Sequence, residues 1–292
     1  MDRLKSMQVF VTAAEQGSFA AAASTHAITP TMVGKHIRAL EQHLQVRLIN
    51  RTTRRQSLTE SGQLYYAECQ RLLHELHNAE QTLQQRSQTP MGTVKLNSPV
   101  TYGSRVLAPL LADFLTHHPK INVELTLENS LVDPFHHPTD LVVRIGELAD
   151  SSLIARPLGS YELIYCASPD YLARHGIPNS LASLGDHACL GFDFGRRRAS
   201  QWGAPTAFDK GQARLVANSG DALLAAARAG AGVLFQPRLL VEEDLAQGSL
   251  VQLLKTDSPK PAPIHLLYRD NEPPKRVRVL IDYLTTTLLP KS

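Results

Sequence analysis

The stretch from Thr29 to Gly62, TPTMVGKHIRALEQHLQVRLINRTTRRQSLTESG, constrains the fold more than any other part of the chain. It opens on a helix start: Thr29 is a good N-cap and Pro30 suits the first helical position. A helix is expected from there to about His43. Val33, Ile37, Leu40 and Leu44 share one face and should be buried, with Thr31, Gly34, Lys35, Arg38 and Gln42 opposite. VRLINRTTRRQSLT then reads as a β-hairpin: two short extended runs about a polar, basic turn. Thr59 caps another helix start. A capped helix, a basic hairpin and a second capped helix follow one another in 34 residues.

The residues before it supply two more helices. Leu4, Met7, Phe10, Val11 and Ala14 fall at helical spacing, and Gly17 ends that helix. Ser18 caps the short, alanine-rich FAAAASTH, whose small side chains permit close approach of a neighbour. Charge is distributed to match. The whole chain carries only +3, but residues 29–62 hold six Lys and Arg against two Glu, leaving the remainder at about −1. A basic patch on a near-neutral protein fits contact with nucleic acid. Three helices, the third with a small and basic outer face, make a helix-turn-helix. A hairpin after it makes a wing, whose arginines meet phosphates or enter the minor groove.

Residues 1–62 resemble the winged helix-turn-helix of LysR-type transcriptional regulators. The resemblance rests on FVTAAEQGSF (Phe10–Phe19), VGKHIRALE and NRTTRRQSLTESG, in that order. It implies double-stranded DNA as a partner. The residues expected to contact DNA are Thr29, Pro30, Thr31, Gly34, Lys35, Arg38, Arg51, Arg54 and Arg55. Gly34 departs from the family, which commonly has serine or threonine there. Glycine either brings the helix backbone closer to DNA or is a tolerated weakness of roughly 1 kcal/mol against alanine.

From Thr59 a long helix is expected to about Ser87. Tyr65, Cys69, Leu72, Leu76, Ala79 and Leu83 recur in steps of four and three, a heptad seam that wants a partner. The resemblance implies an antiparallel linker-helix dimer, further assembled as a tetramer. QRSQTPMGT, with Pro90 and Gly92, breaks the pattern and places a domain boundary at about 88–92. The expected divisions are 1–59 for the DNA-binding domain, 60–91 for the linker helix and 92–292 for an effector domain.

Beyond the break, strands (93–98, 121–129, 140–146, 161–168, GVLFQP and 264–269) alternate with helices (105–117, 221–229 and 274–288). This argues an α/β fold with largely parallel sheets. The family has two such lobes, built like a periplasmic binding protein and joined by two crossover strands. By that resemblance lobe I would take about 92–161 plus 269–292, and lobe II about 162–268. RIGELADSSL (144–153) also matches a LysR-type subgroup. Ligands of such sheets bind beyond the carboxyl ends of strands, at helix starts. The residues there are Ser98, Thr101, Asn129, Ser130, Asn218 and Ser219, with Trp202 near the cleft. Thr101 and Ser130 match family positions that touch effectors. Hydroxyls, amides and helix N-termini favour a small organic anion. Arg144 fits either a cleft charge or a structural salt bridge.

Other chemistries find little support. Cys69, Cys166 and Cys189 are too scattered for a disulfide framework or zinc site. His117–His118 and His136–His137 lack metal-ligand spacing. AGAGV (229–233) is half of a phosphate-loop pattern, and Arg196–Arg198 reads as a solvated loop. No catalytic set or cofactor fingerprint is present, so neither enzyme activity nor a cofactor is expected. No apolar run reaches membrane-span length and no signal-peptide core opens the chain, so a cytoplasmic protein is expected. The alternative is an enzyme or solute receptor on a periplasmic-binding-like domain.

Overall fold

The computed structural model describes residues 2–51, 56–84, 89–129, 139–148, 152–193, 199–269 and 271–289, and side chains at 51, 56 and 77–84 are not described. The chain divides into two compact units at Thr89–Pro90.

In the first unit, three helices precede a hairpin and a long helix: α1 (Arg3–Gln16), α2 (Phe19–Thr25), α3 (Pro30–Leu44), β1 (Ile49–Arg51), β2 (Gln56–Leu58) and α4 (Glu60–Gln84). Each start has its cap. Asp2 accepts from Leu4 N and Lys5 N, Ser18 from Ala21 N, Thr29 from Met32 N, and Thr59 from Gly62 N. Val9, Phe10, Ala22, Val33, Ile37, Leu40, Leu48 and Cys69 form the core.

Two expectations need correction. Leu4 is exposed and Ser6 buried, so the buried face of α1 is rotated onto Ser6, Val9, Phe10 and Ala13. Ser6 is accommodated because its hydroxyl lies 2.7 Å from Asp2 O and 2.9 Å from His36 Nδ1. On α4, Cys69 is buried in the core and Tyr65 packs on it, so these two seam positions serve their own unit. Leu64 and Leu72 remain exposed, and the side chains of Ala79 and Leu83 lie outside the described residues.

The second unit holds two five-stranded sheets. The first is ordered β4-β3-β5-β12-β6, from β3 (Gly92–Ser98), β4 (Ile121–Leu127), β5 (Leu141–Ile145), β6 (Ile154–Tyr161) and β12 (Ala262–Tyr268). The second is ordered β11-β7-β10-β8-β9, from β7 (Leu163–Ala167), β8 (Cys189–Phe192), β9 (Leu215–Ala217), β10 (Val233–Pro237) and β11 (Val251–Leu253). Its helices are α5 (Val100–Tyr102), which runs through a π-helical turn (Gly103–Leu107) into α6 (Ala108–His117), then α7 (Pro169–His175), α8 (Gly220–Arg228), α9 (Arg238–Gln247) and α10 (Lys275–Leu288).

The sheets are mixed rather than largely parallel. β3 pairs in parallel with β4 and β5, but β12 runs antiparallel to both β5 and β6. In the second sheet β7 is antiparallel to β10 and β11. The strand at 262–268, assigned from sequence to the second lobe, therefore lies inside the first sheet. Its residues Ile264, Leu266 and Tyr268 are buried, and its pairing with β5 and β6 on either side places it in the first lobe. The chain leaves the first lobe once, after β6, and returns at β12.

Candidate functional sites

The outer face of α3 is set by two ties. Glu41 Oε1 accepts from Leu48 N at 3.0 Å and Ile49 N at 3.3 Å, fixing the helix to the first strand of the hairpin. Thr59 Oγ1 donates to Arg47 O at 2.6 Å while capping α4, fixing the second strand's exit. Thr29, Pro30, Thr31, Lys35 and Arg38 are exposed. Gly34 is not: it is buried beneath α2, where an added Cβ would lie 3.8 Å from the Phe19 ring and from Arg38 Nη2. Arg38 folds back to donate to Gly34 O at 3.3 Å. The backbone of Gly34 thus faces its own unit, and the space would admit an alanine methyl. Arg51 is in β1, and Arg54 and Arg55 lie outside the described residues.

Behind this face lies a small polar cluster. His26 Nδ1 is 3.4 Å from Lys5 Nζ and its Nε2 is 2.8 Å from Thr12 Oγ1. Burial, then the Lys5 charge, holds both His26 and His36 below the ordinary imidazole range.

Most of the expected effector residues meet where the two lobes touch. Ser98 ends β3 and is fully buried. Asn129 accepts from Val100 N at 3.2 Å and donates to Asn218 O, across the lobe boundary, at 3.3 Å. Ser219 is the N-cap of α8, with Ala222 N donating to its hydroxyl at 3.3 Å. Thr101, in the first turn after β3, is 8 % exposed and packs on Gly220. Ser130 and Arg196–Arg198 lie outside the described residues.

Trp202 is elsewhere. With Gln201 and Gly203 it lines a cavity of about 630 Å³, whose other walls include Gly146, Glu147, Leu163, Lys260 and Pro263. That cavity also lies between the lobes, at the end where the chain crosses, and none of the Ser98–Thr101 group lines it. The expected site is therefore two neighbouring regions.

Two residues escaped the sequence reading. Arg105 Nη2 pairs with Asp221 Oδ1 at 2.9 Å, joining the lobes beside Thr101. Gln236, at the end of β10, is 4 % exposed and faces Gly220. A lone glutamine closing the apolar run GVLF was the available signal. Arg144 sits on β5 opposite His265 of β12.

Burial pushes the thiols of Cys69 to about 11 and of Cys166 and Cys189 to about 12, so all three stay protonated and unreactive at neutral pH. Among the described residues no group of His, Cys, Asp and Glu could hold a metal ion, and no helix is long and apolar enough to cross a membrane.

Comparison with known proteins bears on both units. Residues 4–63 match the bacterial regulatory helix-turn-helix of the lysR family, and residues 87–289 match the LysR substrate binding domain. The transcriptional activator AaeR of Escherichia coli is 35 % identical over 289 residues, covering 98 % of this chain and 94 % of its own. The regulator CrgA of Neisseria meningitidis is 35 % identical over 287 residues, 97 % and 96 % of the two chains. The solved structure of CrgA, described as a LysR-type transcriptional regulator, aligns over 97 % of this chain and 98 % of its own with a TM-score of 0.61. Full-length AphB, a virulence activator of Vibrio cholerae, aligns over 99 % and 100 % at 29 % identity and a TM-score of 0.66. CbnR, solved with its target DNA, shares the fold at 18 % identity, 98 % and 100 % coverage and a TM-score of 0.67. With a winged helix-turn-helix ahead of a two-lobed binding domain, and both matched along nearly its whole length, this chain belongs to the LysR family of transcription regulators and is not an enzyme.

Proposed function

We propose that residues 1–59 bind operator DNA through α3 and the hairpin, that 60–91 pair two chains, and that 92–292 hold a small organic anion between the lobes. The observation carrying this reading is the rigid seating of α3. Its N-cap, its Glu41 tie to the hairpin and the Thr59 tie behind it fix an exposed face bearing Thr31, Lys35 and Arg38. In this reading Thr31 and Lys35 approach base edges. Arg38, Arg51, Arg54 and Arg55 meet phosphates, and Thr29 and Pro30 present the helix start to the backbone. Gly34 supports the helix from behind. Exposed Leu64 and Leu72 on α4 support pairing of two chains, as dimer or tetramer. A regulator acting on operator DNA would work in the cytoplasm.

Ser98, Thr101, Asn129, Ser130, Asn218 and Ser219 are the proposed effector contacts, with Trp202 in the adjoining cavity. Anion preference is supported by the helix starts at Val100 and Gly220. The ligand acts by its differential affinity for two lobe arrangements. Footprinting on DNA upstream of the protein's own gene tests the reading. Protection of two half-sites by wild type, lost in Lys35→Ala, is expected; equal protection by both would overturn the assignment of α3.

A further inference from the structure

Helix α3 turns its large apolar residues inward, with one exception. Val33, Ile37 and Leu40 are buried and Leu44 is half-buried, whereas Met32 is 38 % exposed. Met32 lies in the first turn, and its place is fixed: its N–H donates to Thr29 O at 2.9 Å and lies 3.3 Å from Thr29 Oγ1. At about 100° per residue, Thr31, Met32, Lys35, Arg38, Ala39 and Gln42 share about 120° of the helix circumference. All are exposed except Ala39, which is half-buried. Met32 and Ala39 form the apolar edge of that arc, and the other four its polar part.

Met32 does little for its own unit. It stands outside the hydrophobic core that α1, α2, α3 and α4 build. It also follows the N-cap Thr29 by three residues, the place where a glutamate or glutamine reaches back to the N–H of the cap and closes a capping box. Methionine there gives up that hydrogen bond and leaves an apolar group in water. Its use therefore lies with a partner, and its neighbours say which. Lys35 and Arg38 on the same arc call for a polyanion. The first turn of a recognition helix is the part that meets base edges in the major groove. Of the groups displayed on those edges, the apolar one is the C5-methyl of thymine. An unbranched thioether side chain adapts its shape to such a small target.

We propose that Met32 is a specificity-determining residue of the DNA-binding face, reading the C5-methyl group of one thymine in each half-site. This rests on the reading of α3 as the helix that enters the major groove, and adds to it a base and the group recognised.

Full-length wild type is first used to enrich duplexes from a random pool. Each thymine of the enriched half-site is then replaced singly by deoxyuridine, which removes the methyl and keeps every hydrogen bond. Affinities are measured for wild type, Met32→Ala, Met32→Leu and Lys35→Ala at one salt concentration. In wild type, one thymine should lose about fourfold on replacement, the worth of one methyl group. In Met32→Ala that ratio should fall close to one, while Met32→Leu and Lys35→Ala retain it. Each ratio compares two duplexes on one variant, so a partly unfolded preparation leaves it unchanged. A half-site in which no thymine responds, or a wild-type ratio in Met32→Ala, would overturn the proposal. If Lys35→Ala still alters the preferred bases, the reading of α3 survives and the methyl contact alone falls. If the pool yields no preferred sequence, or the same one for wild type, Lys35→Ala and Met32→Ala, the reading of α3 falls as well.

Discussion

Gly62, in the first turn of α4, rests directly on the carbonyl of Leu48, leaving no room for even a methyl group between them. Leu48 is tied in turn to Glu41 of α3 through its N–H. Helix, hairpin and linker therefore meet at one backbone contact. Gly62→Ala forces backbone against backbone, where no flexible side chain can yield. It should cost about 1–3 kcal/mol, the usual range for overpacking, and weaken DNA binding by disturbing α3. Thermal melting with operator titration checks this; a wild-type melt would show the contact to be slack.

The proposed DNA contacts differ in kind. Removing a phosphate contact should weaken binding to every sequence and reduce the slope of log K against log salt by about 0.9 per charge. Arg54→Ala should behave this way. Lys35→Ala should in addition alter the preferred bases, because Lys35 stands on the exposed face of α3. Titrations at several salt concentrations, on operator and random DNA, separate the two.

The DNA-binding unit should lose stability on acidification. Burial, then the Lys5 charge, lowers the folded pKa of His26 and His36 below the unfolded value of 6.5. Above 6.5 both states are neutral and this stability is present in full. As pH falls from 6.5 toward the lower folded value, the unfolded chain takes up protons first and stability declines. His36→Gln should flatten that decline, measured by denaturant midpoints between pH 5 and 8. An unchanged pH profile would remove His36 from the effect.

The Arg105–Asp221 pair is partly exposed, with side chains 41 % and 56 % accessible, so its own contribution should be about 0–1 kcal/mol. Asp221 also stands in the first turn of α8, where a negative charge gains about 0.3–1 kcal/mol from the helix dipole. Asp221→Asn should therefore destabilise the binding domain more than Arg105→Gln. A double-mutant cycle in urea isolates the pair. Equal single-mutant costs would deny the dipole contribution.

Features closed within a few residues were legible in the sequence. The caps at Ser18, Thr29 and Thr59 bond three residues ahead, and their chemistry is local. The buried stripe Val33, Ile37 and Leu40 follows from periodicity alone. What escaped depends on distant partners. Ser6 could not be read as buried without His36, thirty residues away. The strand at Ile154–Tyr161 was hidden by Pro157 and Gly159, which normally break strands. It tolerates them because it is a sheet edge and its register shifts opposite Ile264 and His265. Gln236 and Arg105 gain meaning only when the lobes are brought together.

The path of the chain has one more consequence. The binding domain begins at β3 and ends at α10 in the same lobe, and buried Arg276 of α10 fastens these ends by donating to Thr93 O at 2.8 Å. The second lobe is thus an insertion, closed at its base, with no covalent route of its own to the DNA-binding unit. Along the chain, the covalent path from the second lobe to the DNA-binding unit runs through the first lobe. Selection can recast the inserted lobe for a new chemical signal while the output machinery is left alone, much as a sensor head is exchanged on a common transmitter.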